Sequence, residues 1–400
     1  MEDVVITGAV RTAAGRYIGA LKDIPPEILG SIAIREAIRR SNLDPATVDE
    51  VIMGNVLQTN DAPNLARVAA LWADVPITVP AYTVHRQFGS GLQAVNNGVM
   101  QIQTGNAEIV VAGGAESMTR APYYFAEARF GFRSGHVQLL DPFVRNSERA
   151  APPEKFGAMN MGLTAENLAA KYGISRGEQD AFALRSHQKA VAAIHEGKFK
   201  EEIVPVPVPQ GKGKGPLLFD TDEHPRPDSS LEGLGRLNPA FKKDGTVTPG
   251  NSSGMNDAAA AVVLMGERKA AALGLEPLGR VVSFAAAGVE PGIMGIGPVP
   301  ASRQALAKAG LTMDRIDLIE LNEAFAAQAL AVLKEWGMAD DPRVNVNGGG
   351  IALGHPIGAT GAKLLTTLLY ELRRRKGRYG LVTLCIGGGM GIATVVERLS

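Results

Sequence analysis

Cys385 is the only cysteine in the 400-residue chain, and it lies in a glycine-rich stretch, residues 383–391. His355 lies upstream of it in a second glycine-rich stretch, between Gly354 and Pro356. A thiol can serve as a nucleophile or exchange protons, and an imidazole exchanges protons near neutral pH. These two residues therefore indicate thiol or acid–base chemistry rather than packing alone.

A third segment, residues 84–94, contains the glycine elbow Gly89-Ser90-Gly91 between a predicted strand and a predicted helix. Such an elbow presents the residue at its tip, as loops that carry a catalytic nucleophile do. Here the tip is Phe88, whose side chain has no nucleophilic atom. Ser90 lies two positions further on, where the elbow does not aim it at the same place. The segment therefore has the form of a nucleophile loop without the nucleophile.

The fourth segment with polar groups in loop-like surroundings is residues 322–325, with the sequence Asn-Glu-Ala-Phe. Each of the four is a weak signal alone, because a lone histidine or cysteine is more often a structural residue. All four are predicted at βα or ββ junctions, where α/β proteins place their binding and catalytic sites. We therefore predict that they form one active site.

Composition limits the class of protein. Hydrophobic residues make up 45% of the chain and charged residues 20%, which is typical of a globular protein with a sizeable core. The 41 basic and 41 acidic residues balance, so we expect no nucleic-acid-binding surface. No apolar run is long enough to span a membrane, and no signal peptide is expected. A single cysteine fits a reducing compartment, so we predict a cytoplasmic protein.

Strand and helix patterns alternate in the N-terminal part of the chain. Short apolar runs predict strands, and apolar residues at helical spacing predict helices between them. This alternation predicts an α/β fold with a mostly parallel sheet that is covered by helices on both faces. The predicted strands are residues 4–10, 48–56 and 108–112, and the predicted helices are residues 28–40, 64–73 and 91–104.

The C-terminal part repeats this plan. Residues 41–52 and 310–319 both read as a helix end, a turn and a strand, and they align without a gap. Both halves continue through a glycine elbow, a helix and an apolar strand that ends in glycines, at residues 112–114 and 386–388. Shared order over several elements predicts an internal duplication. The matching positions are Leu43, Val48, Asp49 and Val51 with Leu311, Ile316, Asp317 and Ile319.

The middle of the chain has a different character. It is rich in Arg, Pro and Lys, and it contains one strong amphipathic helix at residues 175–196. Such an insertion often covers an active site or clamps a ligand, although a decorative surface loop is an open alternative. We predict an N-terminal half of residues 1–120 and 251–272, an inserted loop domain of residues 121–250, and a C-terminal half of residues 273–400.

The longest glycine-rich segment, residues 348–358, reads Gly-Gly-Gly-Ile-Ala-Leu-Gly-His-Pro-Ile-Gly. Together with four other segments in the same order, it resembles the thiolase family, the acetyl-CoA C-acyltransferases, over essentially the whole chain. The resemblance implies a thiolase-like α/β fold with two duplicated βαβαβαββ halves, a layered α-β-α-β-α core and an inserted loop domain. The other segments are residues 89–91, 251–257, 322–325 and 385–389.

The resemblance also implies roles for individual residues. In the family, a cysteine at position 88 takes the acyl group, and the histidine, here His355, activates it. Asn322 would hold a water that, with His355, polarises the enolate-forming thioester, and Cys385 would be the general acid and base. The N–H groups of Gly387 and of position 88 would form the acyl oxyanion hole. The implied coenzyme A contacts are Met161, Phe241, Ser252, Ser253, Met294 and Phe325.

Phe88 is the main departure from the family pattern. Phenylalanine cannot form a thioester, and its ring is much larger than a thiol and would project toward the acyl pocket. The backbone N–H of position 88 survives the change. Two smaller departures are His85, where the family more often has asparagine, and Asn160, where acetoacetyl-type members often have histidine. The second weakens an assignment to short-chain biosynthetic specificity.

Three hypotheses follow. The chain is a thiolase for 3-ketoacyl-CoA thiolysis or the reverse Claisen condensation, impaired because Phe88 replaces the nucleophile. Alternatively, His355, Asn322 and Cys385 support cysteine-independent enolate chemistry on acyl-CoA, such as decarboxylation or direct condensation. The third hypothesis is a non-catalytic acyl-CoA-binding partner of a second thiolase-like subunit.

The resemblance implies acyl-CoA and CoA as substrates, a place in fatty acid metabolism such as β-oxidation, and no permanently bound cofactor. It also implies a homodimer or homotetramer assembled through the first-half sheets. No metal is expected, because His224 with Asp222 and Glu223 reads as a solvated loop. The glycine runs also lack the spacing of a dinucleotide-binding motif.

Overall fold

The first part of the chain folds as the predicted alternation of strands and helices. The computed structural model describes residues 2–157, 159–211 and 213–399. Helix starts carry their usual signals: Pro26 lies at the first position of one helix, and the side chain of Asn64 accepts a hydrogen bond from Arg67 N at another. The elements are β1 (Val4–Thr12), β2 (Gly15–Arg16), α1 (Pro26–Arg40), β3 (Glu50–Gly54), α2 (Leu65–Trp72), β4 (Ala81–Val84), α3 (Ser90–Gln103) and β5 (Ile109–Ser117).

Helices dominate the middle segment. The longest one starts with a capping box, in which Ser175 Oγ accepts from Glu178 N and the Glu178 carboxylate accepts from Ser175 N. This helix corresponds to the one predicted at residues 175–196. The elements are α4 (Pro142–Glu148), α5 (Pro153–Phe156), α6 (Met161–Tyr172), α7 (Arg176–His195), β6 (Ile203–Val204), β7 (Val206–Val208), β8 (Leu217–Phe219) and α8 (Leu231–Gly235).

The last part returns to alternating strands and helices. Among the described residues, no helix has the length and apolar character needed to cross a membrane. The elements are β9 (Asn256–Gly266), α9 (Glu267–Ala272), β10 (Gly279–Gly288), α10 (Pro298–Ala309), β11 (Leu318–Leu321), α11 (Ala326–Trp336), α12 (Gly350–Leu353), α13 (Thr360–Arg375), β12 (Tyr379–Ile386) and β13 (Met390–Glu397).

The strand order shows the duplication. The main sheet runs β11-β12-β13-β10-β1-β9-β5-β3-β4, and its halves meet where β1 pairs antiparallel with β10. From β1 outwards, two antiparallel pairings to β9 and β5 are followed by parallel pairings to β3 and β4. From β10 outwards, antiparallel pairings to β13 and β12 are followed by a parallel pairing to β11, and Ile319 then bridges in parallel to Val344. Both halves therefore have the same order.

The two aspartates that align in the sequence make the same contacts. Asp49 Oδ2 accepts hydrogen bonds of 2.8 and 2.9 Å from the N–H groups of residues 108–109, where β5 begins. Asp317 Oδ2 accepts hydrogen bonds of 2.7 and 2.9 Å from the N–H groups of residues 378–379, where β12 begins. The repeated contact supports the gapless alignment of the two segments.

Alternate strand residues face different cores, as the two-residue repeat of a strand requires. Val5 packs with α1 and α2 on one side of the first half. Val4 and Ile6 point the other way, into a core that is shared with α3 and α13. The far side of the second half packs against α10 and α11. The two halves of the main sheet thus form two layers, with α3 and α13 between them and further helices on the outer side of each half.

The prediction that the strand after α3 ends at Gly113 and Gly114 is wrong, because β5 continues to Ser117. A side chain at Gly113 would collide with the carbonyl oxygen of Ala260 in the neighbouring strand, and one at Gly114 with that of Gly358. The glycines permit close backbone approach inside the strand rather than ending it.

The description of residues 222–224 as a solvated loop is also wrong. The side chain of Asp222 is fully buried, and its carboxylate pairs with the buried guanidinium of Arg11 at 2.8 and 2.9 Å. Arg11 Nε also donates to Glu202 Oε1 at 2.6 Å. Because two acids of the middle segment pair with one arginine of β1, this charged cluster ties the middle segment to the sheet.

Candidate active site

Phe88 lies at the tip of the turn between β4 and α3. The preceding residue, Gln87, has a φ of 44°, and Gly89 N donates to Arg86 O to close the turn. The hydroxyl of Ser90 is used within the turn, where it donates to Gln87 O and accepts from Arg86 N. Ser90 is buried and does not border the cavity described below. It is therefore not placed to act in the position of Phe88.

The Phe88 ring stands between the two halves of the chain. Its centroid is 5.6 Å from that of the His355 ring, with 74° between the ring planes. A methyl group on Gly387 would lie 3.4 Å from Phe88 Cε2 and 3.7 Å from Met161 Sδ, so the ring covers the backbone of Gly387. The ring also packs on a small apolar cluster formed by Val56, Leu57, Met118 and Ile357.

His355 lies in a tight turn between α12 and α13. The prediction that it lies at a βα or ββ junction is wrong, because helices flank it on both sides. Gly354, with a φ of 82°, turns the chain, and the N–H of His355 donates to Asn256 Oδ1 at 2.9 Å. Since Asn256 opens β9, the turn of the second half is anchored on a strand of the first.

Both ring nitrogens of His355 have a polar neighbour. Nδ1 lies 2.7 Å from Thr360 Oγ1, and Nε2 lies 3.3 Å from Asn322 Nδ2. The ring is buried, and burial, with the nearby Lys363 ammonium as a smaller cause, lowers the pKa of His355 to about 3. The imidazole is therefore neutral near pH 7 and can accept a proton.

Asn322 directly follows β11, and its N–H donates to Thr383 O at 3.0 Å in the neighbouring strand. Its side-chain oxygen is buried, and within the described part of the chain it has no hydrogen-bond partner. Such an oxygen is a free acceptor for a water molecule or a ligand N–H or O–H group.

Cys385 is the second-last residue of β12 and lies opposite Gly391 in β13. The side chain is fully buried, and burial raises the pKa of its thiol to about 12. The thiol is therefore protonated at neutral pH. Cys385 belongs to the core cluster against which Phe88 packs, but it does not border the cavity.

A cavity of about 510 Å³ opens in front of Phe88 and His355. All six residues predicted to contact coenzyme A border it, together with Asn160, which caps the start of α6. Its lining is largely apolar and rich in long, adaptable side chains. The methionines and phenylalanines that border it are Met118, Met159, Met161, Met255, Met294, Phe88, Phe143, Phe241 and Phe325.

Loops from two parts of the chain form one wall of the cavity. Ser253 N donates to Ala324 O at 2.9 Å, and Ser252 Oγ donates to Thr248 O at 2.7 Å. Ser252 bridges to Phe325, whose ring stands edge to face with that of Phe241, with centroids 6.0 Å apart. The wall thus joins the middle segment to the loop that carries Asn322.

Not every candidate residue is part of this arrangement. His85 is exposed and does not border the cavity. Asn322, Cys385 and Gly387 do not border the cavity either. No set of three His, Cys, Asp or Glu side chains in the described residues is arranged to hold a metal ion.

No role was predicted from the sequence for two supporting residues, although Asn256 lies in the segment 251–257. Asn256 holds the backbone of His355, and Thr360 contacts its ring. Thr360 lies five residues after His355 at the start of a helix, so its spacing was a possible signal. Asn256 is separated from His355 by 99 residues, and only the folded chain brings them together.

Comparisons with known proteins agree over the whole chain. Residues 4–268 match the family model "Thiolase, N-terminal domain", and residues 275–398 match "Thiolase, C-terminal domain". The chain is 54% identical to an acetyl-CoA acetyltransferase of Pseudomonas aeruginosa, with 100% of both chains covered. It is 51% identical to the beta-ketothiolase BktB of Cupriavidus necator, with 99% of both covered. The crystal structure of the Bacillus anthracis acetyl-CoA acetyltransferase superposes with a TM-score of 0.95 at 48% identity, covering 100% of this chain and 99% of that one.

Proposed function

This chain belongs to the thiolase family of acyltransferases, and we propose that its cavity binds acyl-CoA while Phe88 impairs the transfer of the acyl group. The observation that carries this proposal is the placement of the Phe88 ring beside the His355 imidazole. A side chain at this position is next to a neutral base and at the start of α3, the surroundings that activate a thiol. Phenylalanine offers no atom that could react there.

With a cysteine at position 88, the groups around it could complete 3-ketoacyl-CoA cleavage. His355 would take the thiol proton, and the sulfur would attack the keto carbonyl carbon. The bond between the α and β carbons would then break, its electron pair forming the enolate of acetyl-CoA. Cys385, whose thiol is protonated at neutral pH, would donate the proton that this enolate needs. The thiol of a second CoA would release the acyl group from the sulfur.

Two sets of donors would stabilise the charges that develop. The N–H groups of Gly387 and position 88 would hold the acyl carbonyl oxygen. On the other side, a water on Asn322, together with His355, would hold the enolate oxygen, and the unpartnered Asn322 oxygen supports a bound water there. In the present chain the Phe88 ring lies against Gly387, which leaves little room for an acyl group at the first set.

The rest of the cavity supports binding of the CoA moiety. Met161, Met294, Phe241 and Phe325 supply apolar surface for the pantetheine arm, and Ser252 and Ser253 supply polar groups at its wall. The contribution of these residues to CoA binding does not depend on which side chain residue 88 carries. We therefore expect the chain to bind CoA even though it does not transfer acyl groups efficiently.

A second candidate function is enolate chemistry without an acyl-enzyme, such as decarboxylation or direct condensation. It is favoured by the intact contact between His355 and Asn322. If it operates, the chain exchanges the α-hydrogens of acetyl-CoA with deuterium from the solvent, and His355→Gln abolishes the exchange. A non-catalytic partner subunit would bind acyl-CoA without exchange and would need a second thiolase-like chain for activity.

The proposed assembly is a homodimer or homotetramer. β4 is an edge strand of the main sheet and is only half-buried in the single chain, so its free edge can pair with a second copy. Light scattering on the purified protein tests this assembly.

Intact-mass measurement after incubation with acetyl-CoA tests the proposed function directly. We expect no acetyl adduct on the native chain and one on the Phe88→Cys variant, with one CoA thiol released for each adduct. Phe88→Ala is the matched control, because it removes the ring without adding a thiol, and it should stay unmodified. An acetyl adduct on the native chain would show that another residue carries the acyl group.

A further inference from the structure

The His355 ring is held on both edges by residues of its own half. Thr360, the first residue of α13, is fully buried and places Oγ1 2.7 Å from Nδ1. Asn322 places Nδ2 3.3 Å from Nε2. With a polar partner on each edge, the ring has a fixed orientation toward position 88.

The partner of the threonine hydroxyl decides which ring nitrogen carries the proton. Thr360 Oγ1 has a single hydrogen, and two acceptors lie within its reach, Pro356 O at 2.8 Å and His355 Nδ1 at 2.7 Å. When the hydrogen goes to Pro356 O, the hydroxyl oxygen accepts from His355 and Nδ1 is protonated. A neutral imidazole has one N–H, which leaves a lone pair on Nε2.

The second edge agrees with this assignment. The amide nitrogen of Asn322, which can only donate, faces Nε2 at 3.3 Å. A lone pair on Nε2 accepts this donor, so both contacts fit an imidazole with its proton on Nδ1. A base at this place in the site needs its lone pair on that nitrogen, because Nδ1 is turned away toward the start of α13.

We propose that Thr360 is a positioning residue that holds His355 in the Nδ1-protonated tautomer and so presents Nε2 as the base. The catalytic consequence rests on the proposed function, whereas the tautomer itself does not. Removing the hydroxyl frees the ring to place its proton on Nε2, where it would face Asn322 as a second donor. The fraction of chains with a usable base then falls.

Nitrogen NMR of ¹⁵N-histidine-labelled protein reads the tautomer in the native chain. His355→Gln identifies the signals of His355. We expect an Nδ1-protonated ring in the native chain and in Thr360→Ser, which keeps the hydroxyl. In Thr360→Val, which has nearly the same shape, we expect a mixture or the Nε2-protonated form. An unchanged Nδ1-protonated signal in Thr360→Val overturns the proposal.

Thr366 offers a matched control in the same helix. It is buried, and its hydroxyl also donates to the carbonyl four residues earlier, Ala362 O at 2.9 Å, but it does not contact His355. Thr366→Val should leave the His355 signals unchanged. If it shifts them as Thr360→Val does, the effect is a general consequence of altering the helix and the proposal is wrong.

Activity in the Phe88→Cys background gives the second measurement. Adding Thr360→Val should lower kcat about 10- to 100-fold, the range found when the partner that orients a metal-binding histidine is removed, with little change in KM. Thr360→Ser should restore kcat. Equal kcat with and without the threonine hydroxyl contradicts the proposal. If Phe88→Cys alone is inactive, the proposed function fails, and the NMR result still decides the tautomer.

Discussion

The Phe88 ring meets the His355 imidazole edge-on, with the ring centroids 5.6 Å apart. A neutral base, the start of α3 and the backbone of Gly387 therefore meet at a side chain that has no nucleophilic atom. The residues around it contact one another, as His355 contacts Asn322. These contacts support the proposal that the site lacks only the thiol at position 88.

CoA affinity should depend on the aromatic pair at the cavity wall. Replacing Phe241 by Ala removes the ring that stands edge to face with Phe325, and we expect CoA to bind about tenfold more weakly, close to 1.4 kcal/mol. Calorimetric titration with CoA measures this. Phe125→Ala is the control, because Phe125 forms a similar pair with Phe132 outside the cavity. Equal weakening in both variants would show that CoA does not bind in this cavity.

Cys385 should be unreactive in the folded protein. Burial raises the pKa of its thiol to about 12, so almost no thiolate is present at pH 7 to react with iodoacetamide. In Phe88→Cys, the added thiol lies at the cavity beside His355, and we expect it to be alkylated at least about tenfold faster than Cys385. Mass spectrometry of peptides after timed alkylation distinguishes the two. Fast labelling of Cys385 in the native chain would contradict the account.

The protein should lose stability in mild acid. Burial lowers the pKa of His355 to about 3 and those of His187 and His224 to about 4. Unfolding exposes each ring, whose pKa returns to about 6.5, so the unfolded chain binds more protons below that pH. Each neutral ring makes its full contribution to the free energy of unfolding above pH 6.5. It falls by about 1.4 kcal/mol per pH unit as the pH drops toward the folded-state value.

Denaturant unfolding between pH 7 and pH 4.5 measures this slope. His355→Gln and His187→Gln should each reduce the slope of the free energy of unfolding against pH by the contribution of one histidine. An unchanged slope in both variants would show that these rings are already protonated in the folded protein.

The buried pairing of Arg11 should matter much more than exposed pairs do. Arg11→Met leaves the buried carboxylates of Glu202 and Asp222 without their cation, and we expect a loss of about 3–5 kcal/mol in the free energy of unfolding. The matched control is Arg39→Met, since Arg39 pairs with Glu36 at the surface, and it should have little effect. Similar melting temperatures for both variants would contradict this prediction.

Local patterns were sufficient to predict most of the fold. Apolar spacing predicted the alternating elements. The alignment of the segments that contain Asp49 and Asp317 predicted a duplication, and the two halves of the sheet have the same strand order. Of the segments singled out in the sequence, those that contain Phe88, Ser252, Phe325 and His355 border one cavity, whereas residues 385–389 do not. These features depend on short stretches of sequence, which is why they could be recognised before the structure was known.

The failures share a physical cause, which is dependence on distant parts of the chain. Gly113 and Gly114 resemble a strand end, but they lie inside β5 because neighbouring backbones approach them closely. Asp222 lies in a loop as expected, but it is buried rather than solvated because its carboxylate pairs with Arg11. His355 follows a helix rather than a strand, and Asn256 fixes its backbone from the other half. No local pattern contains these contacts.

CoA-dependent cleavage of acetoacetyl-CoA and of a longer 3-ketoacyl-CoA tests the central claim most directly. The native chain, Phe88→Cys and Phe88→Ala are to be compared at equal concentration. We expect cleavage only by Phe88→Cys, with a gain of several orders of magnitude over the other two. Efficient cleavage by the native chain, or no cleavage by any of the three, would contradict the claim that Phe88 alone stands where the acyl-carrying thiol belongs.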